Sequence, residues 1–71
     1  MRKWFRNIRI IKNMSQNEVA KLSNVGLTTI NKIELGHRRP SVKVAKAIST
    51  ALGFEQYGLD WTKFFEDENS M

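Results

Sequence analysis

Residues 14–36 read MSQNEVAKLSNVGLTTINKIELG, and this stretch decides the fold. Ser15, followed three residues later by Glu18, has the pattern of a capping box, which predicts a helix over about 16–23. A short turn separates that helix from the next, which is predicted over about 27–34 and is followed by a glycine stop. Two short helices joined by a tight turn have the layout of a helix-turn-helix unit.

The apolar residues of these two helices recur at the spacing of a buried face. We expect the first helix to bury Val19, Ala20 and Leu22, and the second to bury Ile30 and Ile33. The residues that remain outward on the second helix are Leu27, Thr28, Asn31 and Lys32. All but the first of these are polar, so the second helix presents a mostly polar outer face.

One further helix is predicted on each side of this unit. The N-terminal one covers about 2–12 and stops at Asn13, a residue type that tolerates the left-handed conformation. The C-terminal one covers about 42–52, with Ser41 as its cap and Gly53 as its stop. Their apolar positions are Trp4, Phe5, Ile8 and Ile11 in the first and Val44, Ala45, Ile48 and Leu52 in the second. The sequence therefore predicts an all-α bundle of four to five helices.

The end of the chain is less regular than the rest. Trp61, Phe64 and Phe65 have the spacing of one short amphipathic turn that folds back onto the core. We expect a single domain over 1–65 and a frayed acidic tail over 66–71. This aromatic and acidic segment is also the expected dimer surface.

Composition narrows the class of protein. The chain has 71 residues and no cysteine, which excludes disulfides, thiolate zinc sites and thiol nucleophiles. The single histidine, His37, cannot build a metal cluster or an ordinary catalytic triad. No apolar run approaches the roughly 18 residues of a membrane span, and the N-terminus is basic and amphipathic rather than a signal peptide. We expect a cytoplasmic binding module with no cofactor, no metal and no enzymatic activity.

The charge is unevenly distributed along the chain. Residues 1–53 carry eleven basic and two acidic residues, whereas residues 54–71 carry one basic and five acidic residues, and the total is +5. A basic body of this kind attracts polyanions, either nucleic acid or an anionic membrane. Charge alone does not distinguish DNA, RNA and lipid, although the helical spacing of the aromatic residues argues against stacking on single-stranded RNA.

The stretch that decides the fold, with its flanks, resembles the Cro/C1-type (XRE-like) helix-turn-helix family of phage and bacterial transcriptional repressors. The resemblance rests on Arg9, MSQNEVA at 14–20, NVGLTTINKIELG at 24–36, RRPS at 38–41 and AISTALG at 47–53. Members of this family bind duplex DNA, usually as dimers, with the third helix in the major groove. The resemblance implies a lambda-repressor-like bundle. It also implies a homodimeric, sequence-specific regulator of double-stranded DNA that represses by occupying an operator.

The resemblance also implies roles for individual residues. Gln16 is expected to contact a phosphate and to brace the first base-reading residue. The base-reading set is Leu27, Thr28, Thr29, Asn31 and Lys32, and the further phosphate contacts are Arg38, Arg39 and Lys43. Arg9 and Glu34 match a buried ion pair that ties the first helix to the end of the third.

Two residues depart from the pattern of the family. Gly26 stands where a Ser or Thr commonly caps the third helix, and Asn24 stands where the turn usually has glycine. Asparagine accepts the left-handed geometry, and glycine in place of a hydroxyl cap costs only about a few tenths of a kcal/mol. We therefore expect the fold to survive both departures.

Two other functions remain open at this point. One is an antitoxin-type or phage-accessory protein that binds DNA and also binds a protein partner through its C-terminal segment. The other is an interaction module that has lost DNA binding, for which an acidic or apolar outer face would be expected on the third helix. The sequence shows no separate ligand domain, so control is expected from concentration, an antagonist protein or proteolysis.

Overall fold

The computed structural model describes residues 1–66, and the regular structure in that range is entirely helical. The elements are α1 (Lys3–Ile11), α2 (Gln16–Ser23), α3 (Leu27–Leu35), α4 (Val42–Leu52), a 3-10 turn (Phe54–Tyr57) and α5 (Lys63–Glu66). The predicted all-α class is confirmed. The four longer helices begin and end within one residue of their predicted limits.

The local signals at the helix ends produce the predicted contacts. The Ser15 hydroxyl accepts a hydrogen bond from the Glu18 amide at 3.1 Å, and the Glu18 carboxylate accepts one from the Ser15 amide at 2.9 Å. The Ser41 hydroxyl likewise accepts from an amide in the first turn of α4, at 3.2 Å. Asn13 and Asn24 both adopt the left-handed conformation, with φ of 56° and 57°. α2 and α4 therefore begin at a hydroxyl that satisfies a free amide, and α1 and α2 are followed by a residue that redirects the backbone.

The core lies where α2 packs against both α3 and α4, and α1 and the C-terminal turn close it. Its buried residues are Phe5, Ile8, Val19, Ala20, Ile30, Ile33, Ala45, Ile48, Leu52, Phe54 and Phe64. The predicted burial of Leu22 was wrong, because Leu22 is 64% exposed, and Ile11, one of the apolar positions of α1, is 67% exposed. Ser23 lies closer than Leu22 to the helical direction of Val19 and Ala20, so it takes the buried position. Ile11 is the last residue of α1.

The C-terminal aromatic turn does fold back onto the core. Phe64 is fully buried, and its ring centroid lies 5.1 Å from that of Trp4 and 5.7 Å from those of Phe5 and Phe54. Tilted aromatic contacts at these distances stabilise a cluster beyond the area that they bury. Glu66 was predicted to begin the frayed tail, but it ends α5 instead, and residues 67–71 lie outside the described residues. Because Phe64 is interior, it cannot contribute to the dimer surface expected here.

Candidate nucleic-acid interface

The outer face of α3 carries most of the predicted base-reading residues. Thr28, Asn31 and Lys32 are exposed, and Leu27 is 48% exposed. Thr29 is half-buried and lies at the edge of this face. The face begins at the helix N-terminus, where Gly26 occupies the cap position and provides no side-chain hydrogen bond. The structure thus brings four of the five residues onto one accessible surface.

A chain of hydrogen bonds connects this face to a buried ion pair. Arg9 donates through Nε and Nη2 to the two carboxylate oxygens of Glu34, at 2.8 and 3.1 Å. Gln16 Nε2 donates to the same carboxylate at 2.9 Å, and Asn31 Nδ2 donates to Gln16 Oε1 at 3.2 Å. We call these four residues the polar relay. It joins α1, α2 and α3 and ends on the exposed face of α3.

Glu34 is the centre of the polar relay and is only 4% exposed. Burial by itself would raise the pKa of this carboxyl. The hydrogen bonds from Arg9 and Gln16, with the positive charges of Arg9 and Arg6, outweigh burial and hold the pKa of Glu34 below its ordinary value. The carboxylate is therefore ionised at neutral pH and keeps its hydrogen-bond donors oriented.

Gln16 is held differently from the expectation. It braces Asn31, in the second turn of α3, rather than the first base-reading residue. The reason is chemical, because Leu27 at the start of α3 has no polar side-chain atom to bond. The amide nitrogen of Gln16 carries two hydrogens, and Glu34 accepts one of them.

The three predicted phosphate-binding residues beyond α3 are all exposed, but they do not form one group. Arg38 Nη1 donates to the Thr29 hydroxyl at 3.3 Å, which holds Arg38 beside α3. The guanidinium of Arg39 lies 6.0 Å from the ring centroid of Phe65, toward the C-terminal turn. Lys43 lies in the first turn of α4. Of the three, Arg38 therefore has a direct contact with α3 in the structure.

Arg2 contacts the end of α3 and the loop that follows it, and the sequence gives no indication of these contacts. Its side chain is buried, and its Nη1 donates to the backbone carbonyls of Ile33 and Arg38, at 2.7 and 3.1 Å. Its backbone amide donates to the carbonyl of Glu34 at 2.8 Å. A basic residue near a basic N-terminus gives no sequence signal for burial, because its partners are backbone atoms about thirty residues away.

The range 1–66 holds no group of three or more His, Cys, Asp or Glu side chains that could bind a metal ion. None of its helices has the length and apolar character needed to cross a membrane. His37 is exposed in the loop after α3.

The chain is similar to a known protein family and to a known bacterial protein. A model of the helix-turn-helix family matches residues 5–55, which include all of α2, α3 and α4 and most of α1. An uncharacterized HTH-type transcriptional regulator of Bacillus subtilis (strain 168), YqaF, is 48% identical over 67 residues. That alignment covers 94% of this chain and 82% of the relative. No solved structure matches the chain significantly.

Proposed function

Because the chain belongs to the Cro/C1-type helix-turn-helix family, we propose that it is a sequence-specific regulator of transcription that binds double-stranded DNA and represses by occupying its operator. The observation that supports this function best is the outer face of α3. There, Asn31 is oriented by the polar relay and lies on the same exposed surface as Thr28 and Lys32. A polar surface with one side chain already fixed suits base recognition, because less side-chain freedom is lost on binding.

In this proposal α3 lies in the major groove and its side chains read the base edges. The Lys32 ammonium donates to O6 or N7 of guanine, and the Thr28 hydroxyl bonds either kind of base or touches a thymine methyl group. Leu27 makes apolar contact only. Asn31 uses one amide hydrogen within the relay, so it keeps one donor and its oxygen for a base or the backbone.

The phosphate contacts of this proposal come from residues before and after α3 in the chain. Gln16 offers its second amide hydrogen at the start of α2, and Arg38, Arg39 and Lys43 contribute positive charge from the following loop and α4. Each neutralised phosphate releases counterions, so the logarithm of the affinity should fall linearly with the logarithm of the salt concentration. These contacts supply affinity, whereas the face of α3 supplies sequence preference.

A homodimer on an inverted repeat completes the proposal. One recognition helix reads only about four or five base pairs, and two half-sites about one helical turn apart supply the missing specificity. Since Phe64 is interior, other residues would have to form the dimer contact. In this proposal the regulator acts in the cytoplasm, and a protein antagonist is one means of relieving repression.

Selection of bound duplexes from a randomised DNA library at physiological salt tests this function. We expect enrichment of an inverted repeat with half-sites about ten base pairs apart. Arg39→Ala should then weaken binding to all sequences. It should also reduce the slope of the logarithm of affinity against the logarithm of salt concentration by about one, the value for one phosphate contact. Lys21→Ala is the matched control, because it removes one exposed charge from α2. The absence of any enriched sequence would contradict the proposal and favour a protein partner or nonspecific binding.

A further inference from the structure

We propose that Arg2 is a positioning residue for DNA binding, which holds the carboxyl end of α3 and the loop that carries Arg38. This inference rests on the proposed function, because its consequence is measured as affinity for DNA. Arg2 lies outside residues 5–55, the part of the chain that matches the family model. It is also absent from the residues that the sequence assigns to the interface.

The first support is the number of backbone atoms that Arg2 contacts at the end of α3. Its amide donates to the Glu34 carbonyl at 2.8 Å, and its Nη1 donates to the Ile33 carbonyl at 2.7 Å. The Ile33 carbonyl also accepts from the Gly36 amide at 3.1 Å, so Arg2 gives it a second hydrogen bond, and a positive charge near the carboxyl end of a helix is favourable. Arg2 therefore stabilises the carboxyl end of the helix that the proposal places in the major groove.

The second support is the contact with the loop. Arg2 Nη1 also donates to the Arg38 carbonyl at 3.1 Å, while the Arg38 side chain donates to the Thr29 hydroxyl at 3.3 Å. Arg38 is thus held at its backbone by Arg2 and at its side chain by α3. Without the Arg2 guanidinium, the first of these anchors is lost, and the loop can move relative to α3.

The third support is the close packing around residues 1–2. A Cβ atom added at Gly36 would lie 3.4 Å from the Met1 nitrogen, so the N-terminal residues lie against the stop of α3. The Arg2 guanidinium also lies 5.9 Å from the ring centroid of Phe64. Arg2 is only 8% exposed in this position, so it acts on DNA through its neighbours rather than by contacting a phosphate.

The test compares Arg2→Met with Lys3→Met, which removes the same charge from the exposed neighbouring position. Affinity for the selected duplex is measured at a temperature where circular dichroism shows every variant fully folded. Arg2→Met should weaken binding about tenfold more than Lys3→Met does, a fold-change typical of a lost hydrogen bond to a charged group. Equal affinities for the two variants would overturn the proposal.

A double-mutant cycle with Arg38→Met separates positioning from direct contact. If Arg2 acts through Arg38, adding Arg2→Met to Arg38→Met should weaken binding by less than about threefold further. A full tenfold further loss would show that Arg2 acts independently of the Arg38 side chain, and it would overturn the part of the proposal that assigns Arg2 to the loop. If Arg2→Met does not fold, Arg2→Lys is used instead. It keeps the positive charge but replaces the planar guanidinium with a single ammonium nitrogen, and it should weaken binding about threefold. Binding by Arg2→Lys equal to that of the parent would then overturn the proposal.

Hydrogen exchange without DNA distinguishes this inference from the proposed function. The amides of Gly36 and His37 bond back to carbonyls in the last turn of α3, so they report on its end. They should exchange at least about tenfold faster in Arg2→Met than in Lys3→Met, while the amide of Ile48 in α4 is unchanged. If the parent binds DNA but this exchange is unaltered, the inference fails alone. If the parent binds no duplex, the proposed function fails, and the exchange still reports the local role of Arg2.

Discussion

Replacement of Glu34 by alanine tests the polar relay most directly. The Glu34 carboxylate accepts two hydrogen bonds from Arg9 and one from Gln16, and it is 4% exposed. Glu34→Ala leaves the Arg9 guanidinium, whose side chain is 15% exposed, without its carboxylate. Removing one member of a buried ion pair costs about 3–5 kcal/mol, because the remaining charge is poorly solvated.

That cost is large for a domain of this size. At about 0.05–0.15 kcal/mol per residue, the whole chain has a free energy of unfolding of roughly 4–10 kcal/mol. Each kcal/mol lowers the melting temperature of such a small domain by about 4–8 °C. Glu34→Ala should therefore lower the Tm by at least about 12 °C.

Thermal and urea unfolding followed by circular dichroism measure this effect. Glu55→Ala is the control, because Glu55 is an exposed carboxylate at the 3-10 turn. The double variant Arg9→Met with Glu34→Leu should recover much of the lost stability, since apolar replacement of both partners is often neutral. A Tm for Glu34→Ala within about 3 °C of the control would refute the reasoning, because it is smaller than the shift expected for one kcal/mol.

The same carboxylate predicts a pH dependence. The pKa of Glu34 is held below its ordinary value of 4.5 in the folded protein, so its ionised form stabilises the fold. This contribution is fully present above pH 4.5 and is lost as the pH falls through the folded pKa. The difference in unfolding free energy between the parent and Glu34→Gln should therefore be largest near pH 7 and shrink toward pH 3. Urea titrations that give the same difference at both pH values would contradict an ionised pair.

Three further substitutions test recognition, capping and packing. Lys32→Ala should cost about 1–3 kcal/mol in binding to the selected duplex and relax the preference at one base pair, and an unchanged selected sequence would remove Lys32 from base reading. Gly26→Ser should raise the urea-unfolding free energy by about a few tenths of a kcal/mol, because it adds a cap. The nearest atom to the new Cβ is 4.0 Å away, so a loss of stability would show that the hydroxyl does not cap α3. Phe64→Ala should cost about 3–5 kcal/mol of stability, and unfolding identical to the parent's would show that α5 is not packed on the core.

The parts of the fold that could be predicted from the sequence are those governed by local chemistry. Ser15 and Glu18 lie three residues apart and form hydrogen bonds with each other within one helical turn. The start of α2 can therefore be predicted without knowing how the helices pack. Leu22 was predicted wrongly because its hydrophobicity was given more weight than its position, which lies away from the helical direction of Val19 and Ala20. Ser23 lies on the side of α2 that is buried, and the packing of neighbouring helices decides this.

The interface shows the same division between local and tertiary information. The exposure of Thr28 and Lys32 follows from the helical spacing of their buried neighbours, and the resemblance to a family indicates that such a face reads DNA. The contacts of Arg2 could not be predicted, because backbone carbonyls have no sequence signature and these belong to residues 33 and 38. The bond from Asn31 to Gln16 depends on the crossing of α2 and α3, which spacing alone does not fix.

The polar relay makes the stability of the fold and the geometry of the interface depend on one carboxylate. Glu34 anchors Arg9 on one side and orients Gln16 on the other, and Gln16 in turn holds Asn31 on the exposed face. Because hydrogen bonds in a chain strengthen and orient one another, disorder at Glu34 propagates to the outer end of the relay. Lys32 lies on the same face but has no part in the relay, so its side chain can change without altering the fold. If Lys32 reads a base as proposed, Glu34 and Lys32 separate the requirements for folding from those for recognition, although the two residues are only two positions apart on α3.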